Sequence, residues 1–268
     1  MQEVNRDSVK YLMEIASINP TKDKGQNFLV NPEICKNIVD LLKNNANSKV
    51  LEVGPGLGSL TYHLLNKCEN LDLIDVDERA INYLSLEVED KANLIYKDAL
   101  KYDVSQYEYI ISNIPYNITT DLIEHLLLSG EKCKQYVFMC QKENFNHFND
   151  TKGSEYGPLS VLIHLLGNIK KAFDVAPGNF VPSPKCISTV FTIEINEYSD
   201  REEVIRTYSL ARKAFANRRK TLLNNLSSIY GKDVSRTILE KAGINENARP
   251  EEISPSLYLK ISKITKSI

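Results

Sequence analysis

No run of 18 apolar residues occurs in this 268-residue chain, so no segment reads as a membrane-spanning helix. The opening residues, Met1-Gln2-Glu3-Val4-Asn5-Arg6, lack the apolar core of a secretion signal, and a cytoplasmic protein is expected. Cysteine is sparse. Cys35, Cys68, Cys133, Cys140 and Cys186 are odd in number and include no CxxC pair, which argues against a disulfide framework or a thiolate metal site. Reduced thiols are expected. His63, His125, His147 and His164 are too scattered for a metal signature; His125 follows Glu124, but HExxH is absent. No metal is therefore expected, and the histidines read as surface or packing groups. No internal repeat or low-complexity tract stands out. A surplus of positive charge is also missing: 33 basic residues face 35 acidic ones, a net charge of -2.

The distribution of that charge says more than its sum. Residues 197–268 hold 14 Lys and Arg against 9 Asp and Glu, leaving 19 basic and 26 acidic residues for the remainder. A basic far end can steer polyanions even on a nearly neutral protein. The length suits one large α/β domain plus a small second one, and 42% hydrophobic residues suffice for a core.

Apolar spacing predicts an N-terminal helical lid over residues 5–17, closed by Pro20. A polar stretch, Lys22 to Leu29, follows. Asn31 then caps a helix with Pro32 at its first position, running to about Leu42. From Lys49 the pattern alternates. Strands are expected at 50–53, 71–75, 93–96, 109–112 and 136–140. Helices are expected at about 59–65, 78–87, 120–128 and 158–166. Such alternation implies a mostly parallel sheet. Late strands at 172–175 and 187–195 are expected to form an antiparallel hairpin. Composition changes near Asn196 to Asp200, and helices are expected at 201–215, 218–229, 233–242 and 256–264. The division expected is thus residues 1–196 and a small helical domain, 197–268.

Asn113-Ile114-Pro115-Tyr116 follows a short apolar strand, at the end where open α/β sheets bind ligands. An amide acceptor beside a ring that can stack suits a flipped nucleobase carrying an exocyclic amine. Upstream, Glu52-Val53-Gly54-Pro55-Gly56-Leu57-Gly58 places three glycines between a strand and a helix, where backbone N–H groups can meet a ligand. The spacing differs from the dinucleotide G-x-G-x-x-G form, which favours an adenosine-bearing cofactor other than NAD. Asp75 ends the second strand and can accept both hydroxyls of a ribose; Asp77 fits better as a helix cap. Asp98, after the third strand, can accept from an adenine amine or serve as a solvated loop carboxylate. Arg212, Lys213, Arg218, Arg219 and Lys220 place five cations within nine residues; phosphate contact and a solvated helix face both fit them.

In order and spacing, these blocks resemble the S-adenosylmethionine-dependent rRNA adenine dimethyltransferases, most closely the KsgA-like small-subunit subgroup. The resemblance covers roughly residues 22 to 262. Gly25-Gln26-Asn27-Phe28-Leu29 matches the N-terminal cofactor motif, and Glu52 to Gly58 the glycine loop. Gln141-Lys142-Glu143, Tyr156 to Val161, Phe180 to Lys185, Ala214-Phe215 and Arg218 to Leu222 match later blocks. The resemblance implies a Rossmann-like methyltransferase domain with a mostly parallel sheet and a small C-terminal helical domain for rRNA recognition. It implies S-adenosylmethionine bound by Gln26, Asn27, Leu29, Gly54, Gly56, Gly58, Asp75, Val76, Asp98, Ala99 and Asn113. Catalysis would fall to Asn113, Ile114, Pro115 and Tyr116, with Phe180 on the other face of the base. RNA would meet Lys185 and the Arg212–Lys220 cations. The implied target is two adjacent adenosines in the 3′-terminal hairpin of small-subunit rRNA, methylated on the small subunit or an assembly intermediate. The chain departs from the family at Asp75, where Glu is commoner, and at Cys186, where Val is more usual. A large-subunit methyltransferase of the macrolide-resistance type and a non-catalytic ribosome-assembly factor remain as alternatives.

Overall fold

The computed structural model describes residues 1–19, 27–197 and 200–267. Its strands are β1 (Phe28–Leu29), β2 (Lys49–Val53), β3 (Asn70–Asp75), β4 (Asn93–Tyr96), β5 (Tyr109–Asn113), β6 (Gln135–Gln141), β7 (Gly167–Val175), β8 (Phe180–Val181) and β9 (Ser188–Ile195). Seven of them form one sheet in the order β4-β3-β2-β5-β6-β9-β7. The pairs β2·β3, β2·β5, β3·β4 and β5·β6 are parallel, whereas β6·β9 is antiparallel. The mostly parallel sheet follows from strands buried on both faces: Val50, Leu51, Leu73, Ile74, Ile110 and Ile111 are all shielded from solvent. β9 does lie beside β7, but it is also inserted next to β6, so the expected hairpin is one part of a wider pairing. Two features were not among the expected elements: the two-residue pair β1·β8 and the polar helix Lys142–Asn149.

Chain direction across the sheet reverses between β2 and β5. From β2 the order runs outward to β3 and β4; from β5 it runs the other way to β6. A crevice therefore opens where the connections leaving the two strands part, which is where doubly wound sheets bind ligands. Ser112 Oγ donates to the Val53 carbonyl at 2.7 Å and fixes the two strand ends to each other.

Helix starts follow local chemistry. Asn31 accepts from Ile34 N with Pro32 behind it, and Asp77 caps Glu78–Glu87. The N-terminal helix, Val9–Ile15, is no detachable lid. Val4, Val9, Leu12, Ala16 and Ile18 are buried in the main core with Leu57, Leu60 and Leu84.

The chain divides into two compact units, Met1–Phe145 with Lys170–Glu194, and Asn146–Ile169 with Ile195–Ile268. The compositional change near residue 197 marks one edge of the second unit. That unit also takes in an earlier segment, because Tyr156 and Val161 are buried in one core with Leu210, Phe215, Leu226, Ile238 and Tyr258. Its long helices are Pro158–Leu166, Arg201–Ala214, Leu222–Tyr230, Lys232–Ala242 and Pro255–Lys266. Thr221 caps the third of these by accepting from Asn224 N, so that helix starts later than the expected residue 218.

Ile111 sits on β5 between Glu52 and Val137 and is fully buried. Ile111→Ala is expected to cost about 2–5 kcal/mol in urea unfolding, through lost burial and the cavity left behind. A loss below ~1 kcal/mol would show that β5 is not the packed centre described here.

Candidate active site

A cavity of about 240 Å³ opens at the carboxyl ends of β2, β3 and β5. Its walls come from three places: Asn27 to Leu29; the loop after β2; and the turn from Asn113 to Ile118, with Asp75 to Asp77 at the rim. Each is delivered by the fold. The Val53–Gly54 junction follows a buried strand, and Gly54 N donates to the Ile74 carbonyl at 2.9 Å. Gly54 adopts φ +71° with open space where a side chain would stand, so its backbone faces an unobstructed cavity. Gly56 adopts φ +54°, and a Cβ there would lie 3.0 Å from the Phe28 ring. Glycine is required at that position by both backbone and packing.

Asp75 holds this loop in place. Its Oδ2 accepts from Gly56 N at 3.2 Å and its Oδ1 from Asp77 N at 2.9 Å. Burial raises its pKa above the usual carboxylate value, against the lowering effect of those two donors. Glu52 is more deeply placed. It is 2% exposed yet lines the cavity, and it accepts from Thr61 Oγ1 at 2.6 Å. Burial pushes its pKa up to about 8; the Thr61 hydrogen bond opposes this and the charge of Asp75 adds to it.

The Asn113–Tyr116 turn forms the opposite wall. Ile114 N donates to the Met139 carbonyl at 3.0 Å, which anchors the turn to β6. Asn113 Nδ2 donates to the Asn27 carbonyl at 3.4 Å. With the amide nitrogen so engaged, the side-chain oxygen is the atom that can accept from a target amine. Tyr116 is half-buried, and its hydroxyl pairs with Ser188 Oγ at 2.7 Å, which fixes the ring. Burial raises the phenol's pKa, so it stays neutral.

Of the residues expected to bind cofactor, Asn27, Leu29, Gly54, Gly56, Asp75, Val76 and Asn113 line this one cavity. Gln26 lies outside the described residues. Gly58 does not line the cavity; a Cβ there would run into the Met1 methyl and Leu84. Asp98 and Ala99 are also absent from the lining. Asp98 caps its own turn by accepting from Leu100 N, 3.0 Å away, and lies 3.6 Å from Lys101 Nζ. Ile114, Pro115 and Tyr116 line the cavity, but Phe180 does not. Phe180 is 2% exposed and pairs with Leu29 across β1·β8. Asp77 caps its helix and pairs with Arg79 at 2.7 Å, as its position suggested. Glu52, Phe28, Ser59 and Asn117 line the cavity without having been singled out. Ser59 had no signal beyond following the glycine loop; its Oγ donates to the Leu29 carbonyl at 2.8 Å and ties β1 to that loop.

The sequence profile of the family described as ribosomal RNA adenine dimethylase matches residues 18–267. The chain belongs to this family. It is 38% identical over 253 residues to the Ribosomal RNA small subunit methyltransferase A of Legionella pneumophila (strain Corby), covering 91% of this chain and 97% of that one. It is 35% identical over 247 residues to the protein of the same name from Malacoplasma penetrans, covering 90% of each. Among solved structures, a dimethyladenosine transferase from Plasmodium falciparum superposes with a TM-score of 0.77 at 25% identity, over 89% of this chain and 98% of that one. The 23S rRNA methyltransferase ErmE superposes with a TM-score of 0.68 at 19% identity, over 88% and 98%, and shows the shared fold.

This dimethylase uses S-adenosylmethionine, and the cavity fits it. Gly54 leaves open space above its backbone, and the Asp75 carboxylate is already oriented by the loop it holds. The cations expected to meet RNA lie elsewhere. Arg212, Lys213, Arg218, Arg219 and Lys220 are exposed in the second unit, and Lys185 is exposed in the first. Arg218 is already engaged: it donates to the Tyr156 carbonyl, and its guanidinium stands 5.5 Å from the centre of the Phe215 ring.

Gly56→Ala forces a side chain into the left-handed backbone region at a cost of about 1–2 kcal/mol, and against Phe28. Calorimetric titration with S-adenosylmethionine is expected to show roughly tenfold weaker binding. An unchanged Kd would mean that the cofactor does not depend on this loop's conformation.

Proposed function

We propose that this dimethylase acts on the N6 amines of two adjacent adenosines in the 3′-terminal hairpin of small-subunit rRNA, in the cytoplasm, on the small ribosomal subunit or an assembly intermediate. The observation that carries the reading is the convergence of the glycine loop and the Asn113–Tyr116 turn on one cavity, at the ends of paired strands. The small-subunit target is supported by what the relatives are named for.

S-adenosylmethionine supplies a methyl group already activated as a sulfonium. The chain's own task is to align the amine and exclude water. Gly54 and Gly56 offer close backbone approach, and Asp75 offers its oxygens to the ribose hydroxyls. The adenine amine is a poor nucleophile, because its lone pair is delocalised into the ring. Asn113's side-chain oxygen and the Ile114 carbonyl accept its two hydrogens, which favours a more tetrahedral nitrogen as charge develops. Pro115 stiffens the turn that presents them. Tyr116, held through its hydroxyl by Ser188, supplies a face on which the flipped base stacks. Phe180 lies on β8 beside β1, paired with Leu29 of the cavity wall. After one transfer a single N–H remains, so the second round requires a wall that tolerates the added methyl. No strong general base is needed.

RNA is held by charge and shape. Residues 197–268 carry the recognition surface in this reading, with Arg212, Lys213, Arg218, Arg219 and Lys220 contacting phosphates and Lys185 contributing from the first unit.

Asn113→Ala is expected to lower methyl transfer by roughly 10²–10³-fold while S-adenosylmethionine still binds. Full dimethylation of rRNA by the purified variant would sink this assignment. A second test uses Arg219 and Lys220, which are exposed; Arg218 is spared because it donates to Tyr156 within its own unit. Replacing both by Gln is expected to reduce the slope of log affinity against log salt by about 2. An unchanged slope would remove these residues from the RNA surface.

A further inference from the structure

We infer that Arg218 has a task beyond phosphate contact: it positions the loop 149–157, whose tip presents Lys152 as a further contact for an rRNA phosphate. This rests on the RNA reading above and deepens it.

The loop follows the helix Lys142–Asn149 and ends where the helix Pro158–Leu166 begins. Its sequence gives it little reason to be ordered, since Asp150-Thr151-Lys152-Gly153-Ser154 is polar and contains a glycine. The structure nevertheless ties it down along its length, entirely within the second unit. Asp150 N donates to the Asn146 carbonyl at 3.1 Å, and Gly153 N to the Glu251 carbonyl at 2.9 Å. His147 meets Glu155 twice, with Nδ1 at the carbonyl (2.8 Å) and Nε2 at the carboxylate (3.0 Å). The remaining tie is Arg218, which donates to the Tyr156 carbonyl across 62 residues of chain. Arg218 and Tyr156 share one support. The guanidinium stands 5.5 Å from the centre of the Phe215 ring, and the Tyr156 ring meets the same ring edge-on with centroids 5.6 Å apart. Tyr156 is fully buried in the core of the second unit, so this end of the loop is fixed to that core.

What the frame leaves outward is a set of donors. Thr151, Lys152 and Ser154 are exposed and bond to nothing among the described residues. Tyr156 N donates to the Gly153 carbonyl at 3.2 Å, a turn that folds the tip back toward Tyr156. The tip is thereby brought toward Arg218, which Arg219 and Lys220 follow directly. The acids of the loop are occupied elsewhere: Glu155 is held by His147, and the charge of Asp150 bears on His164. An ammonium flanked by hydroxyls and exposed backbone N–H groups suits a phosphate oxygen. A cation on a tethered loop loses less freedom on binding than one on a loose loop, so the tether itself favours the complex.

Binding to hypomethylated small ribosomal subunits is measured by filter retention across a salt series. Lys152→Gln is expected to reduce the slope of log affinity against log salt by about 1. Arg218→Lys keeps the charge but loses the planar guanidinium that packs on Phe215 and holds the Tyr156 carbonyl. It is expected to reduce the slope by a similar amount, and to add nothing in the Lys152→Gln background. Gly153→Ala alters no charge. Gly153 adopts φ +102° with open space where a Cβ would stand, so the substitution strains the backbone of the loop alone. It is expected to weaken binding only while Lys152 is present. General loss of stability leaves the salt slope of the folded protein unmoved, so the slope separates positioning from damage. A wild-type slope in Lys152→Gln or in Arg218→Lys, or losses that add in the double variant, overturns the inference. If Arg218→Lys does not fold, Gly153→Ala with and without Lys152→Gln decides. Failure of the wild-type protein to bind the subunits, or an unchanged slope after Arg219 and Lys220 are both replaced, overturns the RNA reading instead, and this inference with it.

Discussion

The parallel pairing of Val50–Glu52 with Tyr109–Ile111 is the contact on which the site depends. It places two strand ends side by side at the point where the sheet changes direction, so the loop after one strand and the turn after the other face a common space. The Ser112 hydroxyl on the Val53 carbonyl keeps those ends in register. Everything chemical is attached there. Glycines at 54 and 56 expose backbone on one side, and Asn113 and Tyr116 project from the other. The first loop is steadied by Asp75 through Gly56, the second by Met139 through Ile114. Binding and reacting groups are thereby carried by short turns anchored to strand ends, which suits a reaction whose main demand is alignment.

Much of this was legible before any coordinates. The strands β2 to β6 were visible because each is a short β-branched or aromatic run bounded by turn residues. Asn31, Pro32 and Asp77 were visible as helix starts because capping is local chemistry. Seven of the cofactor residues expected from the blocks do line one cavity. What escaped has physical reasons. A two-residue pair such as Phe28–Leu29 with Phe180–Val181 has no period to detect. The helix Lys142–Asn149 is rich in Asn and His, and its sequence gives little propensity signal. The second unit recruits Asn146–Ile169 because Tyr156 and Val161 find their burial among helices more than forty residues later, and contacts of that range leave no local trace. Glu52 was read only as the residue before the glycines. In a strand buried on both faces, one acidic residue does not reveal whether it points to a cavity or a solvent gap.

Three of the four histidines bond to backbone carbonyls within the fold, as packing groups would. His125 contacts the Tyr102 carbonyl, His147 the Glu155 carbonyl and His164 the Asn149 carbonyl, each at 2.8 to 3.0 Å. These bonds satisfy ring nitrogens within the fold and place no imidazole in the cavity wall. In the proposed mechanism the chemistry is left to neutral acceptors, a stacking ring and buried carboxylates. That is a consistent set of tools for transferring an activated methyl to a weakly nucleophilic amine. Charge enters in two separate places, as buried acid at the cavity and as exposed base in the second unit.

A dimethyladenosine transferase and a 23S rRNA methyltransferase share this fold, so architecture alone does not choose the substrate. The most direct measurement is transfer of labelled methyl from S-adenosylmethionine to hypomethylated small and large ribosomal subunits, with mass spectrometry of the nucleosides released. The account predicts N6,N6-dimethyladenosine at two adjacent positions of the small subunit and none in the large. Methylation confined to the large subunit, or none in either despite cofactor binding, would contradict it.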